Sequence, residues 1–218
     1  MGTFRYRRLK QLLEQPGPKT PEDHWQYQRD TLNLMAQTIA PIMARALEGH
    51  QETTEMARIL SEWNFHDDAD QAVPAIFQST YRLFALITLQ DELGEDLSGA
   101  LLDNWYFWQE KLLEMVQEND SPWFDDISTE HKKETRDDLF LRAGREAALQ
   151  LKAEMGASTD KWAWGTRIRS WRCCREARAD ACSIHTPKIR SNLLSAVKKY
   201  TGGSATKQSR PMLRQRYP

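Results

Sequence analysis

The chain has 218 residues, with 30 Lys/Arg against 31 Asp/Glu, long enough for one domain or one domain plus an appendage. No stretch approaches the length of a transmembrane helix, and the opening MGTFRYRRLKQ has no apolar core to serve as a signal peptide. The near-neutral total hides a break at Gly165: residues 1–165 carry 29 Asp/Glu against 17 Lys/Arg, a net of −12, while residues 166–218 carry 2 against 13, a net of +11.

The acidic body reads as helix after helix. Residues 4–15 form a short basic amphipathic segment closed by Pro16-Gly17-Pro18. Thr20-Pro21-Glu22-Asp23 is a helix start, with a Thr cap, Pro at the first helical position and acids in the positive first turn. One long helix is expected from there, because apolar residues recur at Trp25, Leu32, Ala36, Ile39, Met43 and Leu47. Pro41 should kink it and Gly49 should stop it. Met56, Ile59, Leu60 and Trp63 form one face of the next helix. After an acidic turn over residues 66–70 comes a largely apolar run, residues 73–89, more buried than amphipathic and ended by Gly94. Residues 97–116 and 128–155 read as two further helices, closed by Asp120-Ser121-Pro122 and by Gly156, and residues 158–164 begin another turn. Alternating β-branched runs and Asn-Gly or Asp-Gly turns are missing, so the body is all-α on this reading.

The texture changes beyond Gly165. Five arginines, Arg167, Arg169, Arg172, Arg175 and Arg178, crowd around Trp171, and all three cysteines, Cys173, Cys174 and Cys182, lie in this tail. Residues 201–218 are rich in Gly, Ser, Lys, Arg and Pro and cannot bury enough surface to offset their ordering entropy. The tail reads as disordered, or as out-of-frame sequence that has lost its apolar period and gained Arg, Ser and Cys.

Free-standing chemistry is sparse. His66-Asp67-Asp68-x-Asp70 offers an imidazole and three carboxylates to a hard cation, but no EF-hand spacing follows, and the simpler reading is that Asp68 or Asp70 caps the next helix. His24, His50 and His131 stand alone as surface residues. Trp105 and Trp108, one helical turn apart, read as core. Cys174, Cys182 and His185 are soft zinc ligands at a spacing that fits no standard finger. The Arg/Trp mixture around Trp171 also has the character of a nucleic-acid surface.

Several stretches of the body, in order, resemble the penicillin amidase (penicillin acylase) family of N-terminal nucleophile hydrolases. Phe4-Arg5-Tyr6-Arg7-Arg8-Leu9-Lys10-Gln11-Leu12-Leu13 is similar to the family's "YRARRIxxLL" segment. Thr20-Pro21-Glu22-Asp23, with Gln28-x-Asp30-Thr31, resembles "T-x-E-D…Q-x-D-T". Leu60-Ser61-Glu62-Trp63-Asn64, then Asp68-x-Asp70-x-Ala72-x-Pro74-x-Ile76-Phe77, resembles "L-x-x-WDG…D-x-x-A-x-x-IF", with Asn64 for the usual Asp and Phe65 for the Gly. Trp123-Phe124-Asp125-Asp126, Glu134-Thr135 and Trp162-x-Trp164-Gly165 resemble "WFDD…ET…W-x-WG".

The resemblance implies hydrolysis of amides such as those joining an acyl group to a β-lactam nucleus or to a homoserine lactone. The family's nucleophile is an N-terminal serine whose own α-amine is the base, with an asparagine side chain in the oxyanion hole. An arginine some way beyond that asparagine orients the amine and the asparagine, and Arg5 matches it by position. The expectation is therefore a mainly α-helical fragment, residues 1–165, of an αββα hydrolase large subunit, followed by the basic tail, residues 166–218. The serine, the asparagine and the family's calcium ligands have no counterparts in these residues, so no cofactor is expected here and the chain is expected to be inactive alone. Its expected partners are the remainder of an acylase heterodimer and a small-molecule amide, with neither membrane nor nucleic acid. By resemblance the compartment is the periplasm or the exterior. Two rival expectations remain: an autonomous all-α interaction module, and nucleic-acid binding through the tail. If the helices have lost the layers they pack on, residues 73–89 should be left partly uncovered.

Overall fold

Seven α-helices follow one another in the residues that the structure, a computed structural model, describes: 4–119 and 121–169, with the backbone alone for residues 95 and 105–107. They are α1 (Phe4–Leu13), α2 (Pro21–Arg29), α3 (Leu34–Leu47), α4 (Thr54–Ser61), α5 (Val73–Asp103), α6 (Trp105–Gln117) and α7 (Arg136–Met155). Short 3₁₀ turns cover Pro122–Phe124 and Thr159–Lys161, and residues 164–169 are helical. Among the described residues there is no strand, only an isolated antiparallel bridge between Leu32 and His66. The all-α expectation therefore holds for the body.

The core lies where α3, α4, α5 and α7 meet. Each contributes one apolar stripe at helical spacing, for example Ile39, Met43 and Leu47 from α3, and Phe140, Ala143, Ala147 and Leu151 from α7. Phe84 of α5 stacks on Phe140 of α7 with ring centroids 3.9 Å apart, and Phe77 stacks on Tyr81 at 5.9 Å. Gly144 lets α3 and α7 close on each other: a Cβ there would run into the Leu47 side chain. Residues 73–89, expected to be partly uncovered, are covered for the most part, with Val73, Leu86 and Ile87 only partly buried. Ile76, Phe77, Phe84 and Ala85 are fully buried, because α7 lies along α5 and covers the run.

Three helix boundaries differ from the sequence reading, each for a local reason. The single helix expected after Thr20 is two, broken over residues 30–33. Asn33 starts α3 by accepting from the Ala36 amide at 3.0 Å, and Leu32 pairs with His66 instead of continuing the spiral. Pro41 sits inside α3 without ending it. Residues 97–116 are likewise split at Asn104, whose φ of −104° and ψ of 61° are not helical. The helix expected from residue 128 begins only at Arg136, where Thr135 and Asp138 form a reciprocal capping box. Gly94 does break α5, at φ 75° and ψ 171°, and Gly156 stops α7 at φ 98°.

Gly165 is not a boundary of the described structure. Its amide donates to Ala69 O at 2.7 Å, and a Cβ on it would stand 3.2 Å from Ala69. Beyond it Arg167 is buried and paired with Glu154 of α7. Trp171, the three cysteines, His185 and the remaining tail calls fall outside the described residues.

Candidate functional site

Arg5 and Arg8 are three residues apart on α1, so their side chains leave the same face. That face meets the C-terminal end of α2. Arg5 donates from Nη1 to Asp30 O at 3.0 Å and from Nη2 to Tyr27 O at 2.8 Å. These carbonyls belong to the last turn of α2, which has no further helical N–H to receive and carries the negative end of the helix dipole. Arg8 forks onto the Asp30 carboxylate, Nε to Oδ1 at 2.9 Å and Nη2 to Oδ2 at 2.8 Å. The hydrogen bond from Arg8 holds the Asp30 carboxyl below the usual carboxylate range and raises Arg8 in return.

A second polar cluster lies next to this one in sequence and is closed by the bridge. Asn33 N donates to Phe65 O at 2.8 Å and Asp67 N to Thr31 O at 2.9 Å. The side chains follow: Thr31 Oγ1 donates to Asp68 Oδ1 at 2.9 Å and lies 3.0 Å from His66 Nδ1. Since the hydroxyl has one proton and gives it to Asp68, His66 Nδ1 is the donor in that second bond. Asn33 Nδ2 donates to Asp67 Oδ2 at 3.0 Å while its Oδ1 caps α3. Asp67 Oδ1 is buried with no protein donor. Burial pushes the Asp67 carboxyl up to about 6, against the pull of Asn33 and Gln78.

Between α1 and these two clusters opens a cleft of about 410 Å³, lined by Arg5, Thr31, Asn33, Asp67, Gln78 and Gln109 among others. It offers a cation, two carboxyls (Asp30 and Asp67) and three side-chain amides, a set that can orient a polar group. Its hydroxyl, on Thr31, is committed to Asp68 and is no free nucleophile. Arg5, the residue that the family resemblance points to, is one of those lining this cleft. Asn33, Gln78 and Gln109 were not singled out. Only Asn33 left a local trace, an Asn three residues before Ala36 that reads as a cap once the helix is known to break.

His66, Asp67 and Asp68 of the acidic turn are bound into this clasp. Among the described residues no group of three or more His, Cys, Asp or Glu is placed to hold a metal ion. Neither Asp68 nor Asp70 caps α5, whose N-cap is Ala72 without a side-chain bond. Trp108 is core, as read. The zinc reading rests on residues outside those described, as does the nucleic-acid reading except for Arg169 and for Arg167, which is buried against Glu154.

Compared with known proteins, the chain matches the sequence model of one family, penicillin amidase, over residues 2–174. No curated protein matches it. The matched span takes in Arg5 and both polar clusters, and it runs past Gly165 into the first residues of the basic tail.

Proposed function

Since the chain belongs to the penicillin amidase family, we propose that it supplies the helical part of a large subunit that hydrolyses linear amide C–N bonds, with Arg5 at the reaction centre. One observation carries this reading: in a chain matched to the family over residues 2–174, Arg5 lines the polar cleft with its guanidinium pinned on two carbonyls. On this reading the remainder of the acylase provides the serine, its α-amine and the oxyanion asparagine. The serine oxygen attacks the amide carbon while the α-amine takes its proton. The C–N bond breaks as that proton passes to the leaving amine, and water then hydrolyses the acyl-serine ester. The substrates are acyl amides of the β-lactam or homoserine lactone type.

On this reading the chain by itself hydrolyses nothing, because an always-protonated arginine supplies neither nucleophile nor general base. Purified chain is expected to leave phenylacetyl and long-chain acyl amides at the background rate. Turnover by the purified chain that disappears on Arg5→Ala would refute this. Flanking genomic sequence, read in all frames, should contain a Ser-Asn start upstream and a Gly-rich segment downstream.

The autonomous-module reading draws on a different observation, the covering of residues 73–89 by α7. A sharp, cooperative thermal transition of a monomer supports it, and flanking sequence without the Ser-Asn start would favour it over the amidase reading.

A further inference from the structure

α2 has a full set of start signals and yet buries no residue. Its N-terminus is closed by the Thr20–Asp23 capping box with Pro21 in the first turn, so the helix is well defined internally. Its position must come from elsewhere. The charged contacts that tie its C-terminal end to the body are those with α1: Arg5 on Tyr27 O and Asp30 O, and Arg8 on the Asp30 carboxylate.

These contacts are not equivalent. The Arg5 side chain is 46% exposed and uses neutral carbonyls, which fix its plane only as well as α2 itself is fixed. The Arg8 and Asp30 side chains are 19% and 12% exposed and meet in a two-point fork. The fork holds the residue whose carbonyl Arg5 uses, in an extended conformation at φ −63° and ψ 125°. Asp30 Oδ1 also lies 3.9 Å from Arg5 Nη1, a second restraint on the same guanidinium.

We propose that Asp30, clamped by Arg8, is the positioning residue for Arg5: it anchors the end of α2 so that the two terminal carbonyls hold the guanidinium in the cleft. This rests on Arg5 being the reaction-centre arginine, and it adds two residues that act through it, of which Asp30 also lines the cleft. Without the carboxylate, Arg8 becomes a half-buried unpaired cation, the end of α2 is released, and Arg5 loses both acceptors together.

The test follows the arginine side chains of the full-length chain by ¹H–¹⁵N NMR. A guanidinium pinned at two nitrogens rotates slowly and shows separate Nη signals, whereas a released one shows a single averaged signal. Arg5 is expected to show separate signals in the wild type and an averaged one in Asp30→Asn, with the amide signals of α5 and α7 unmoved. Arg8→Lys, which keeps the charge and loses the fork, should release Arg5 in the same way, and it carries the test if Asp30→Asn does not fold. Arg5 signals that stay separate in either folded variant overturn the proposal, as does a loss of α5 and α7 signals in both. In the amidase assembled with its remainder, Asp30→Asn should lower kcat by about 10- to 100-fold with KM little changed, the mark of a misplaced group. The underlying reading fails separately, if Arg5→Ala leaves the assembled amidase fully active whatever the NMR shows.

Discussion

The α3–α4–α5–α7 core and the α1–α2 end of the molecule are held by different forces. In the core, four apolar stripes interlock, Phe84 lies on Phe140, and Gly144 lets two helices touch. At the other end α2 buries nothing and is joined to α1 through guanidinium groups on carbonyls and a carboxylate. Apolar burial is non-directional and sums over many contacts, so it stabilises the whole domain. The charged contacts are few and directional, and they set the orientation of particular groups more than the stability of the fold. The candidate reaction-centre arginine lies at the directional end.

This contrast is broken most directly from the core side. Phe140→Ala removes a fully buried ring and the partner of Phe84, and should cost about 3–5 kcal/mol. Urea melts followed by circular dichroism would register it as a lower midpoint for the whole described body. A smaller loss, confined to α7, would mean that the core is not one cooperative unit.

The core was also the part open to reading in the sequence. The apolar residues of α4 and α5, the stops at Gly94 and Gly156 and the start at Thr20 follow from period and capping alone. The break over residues 30–33 does not. Leu32 falls on the apolar period of a continuing helix, and what removes it is a pairing with His66, a residue in the turn before α5. Tertiary pairing of that kind leaves no periodic trace, so the Thr31, Asn33 and Asp67 cluster stayed hidden although each residue stood in view. The start of α7 was legible in principle, since Thr135-x-x-Asp138 is a capping signal, but the charged residues just before it fit a helix equally well. Arg5 was found through family resemblance. Nothing in its spacing distinguishes it from Arg7.

The cleft carries the next effect. Burial raises the Asp67 carboxyl to about 6, with Asp68 adding to the rise and Asn33, Gln78 and His66 opposing it. The folded chain therefore binds this proton more tightly than the unfolded chain, whose carboxyl titrates near ~4. Stability should rise as pH falls from 7 to about 5, by about 1–2 kcal/mol from this group. The raised Asp91 carboxyl acts in the same direction. Asp30, Asp126 and Asp138 are lowered, so their contributions are lost only as pH falls below ~4. Asp67→Asn should remove most of the slope between pH 7 and 5 and raise stability at pH 7. Guanidinium melts at those two pH values decide it, and an unchanged slope would mean that Asp67 is not effectively buried.

The two capping boxes sharpen the comparison, because they are chemically alike and sit in opposite regions. Thr135 starts α7 within the core, and Thr20 starts α2 outside it. Thr135→Ala should cost about 1 kcal/mol of global stability. Thr20→Ala loses the same bonds but should leave the global midpoint where it was, and should increase hydrogen exchange only at the start of α2. Equal global losses would show that α2 folds with the core after all.

The smallest effect concerns Phe65, the one non-glycine residue with positive φ, 64°, among those described. It stands where the family's "WDG" has glycine, and the turn demands that conformation. Asn64 Oδ1 accepts from the His66 amide at 3.1 Å, and Phe65 O accepts from Asn33 N, so residues 64–66 must bend to carry both. The left-handed conformation costs a residue with a side chain about 1–2 kcal/mol, and glycine almost nothing. In exchange the Phe65 ring, half-buried, packs on Trp63 with centroids 5.7 Å apart, worth about 1 kcal/mol. Phe65→Gly should thus leave stability within about 1 kcal/mol of wild type, since lost packing and relieved backbone offset each other. Phe65→Ala loses the ring and keeps the strain. The glycine variant should therefore be the more stable of the two by about 1 kcal/mol, the reverse of their usual order. Parallel urea melts of both variants test this directly. An alanine variant as stable as the glycine one would mean that the bend over residues 64–66 relaxes out of the left-handed region, and that the bridge to Leu32 is not what enforces it.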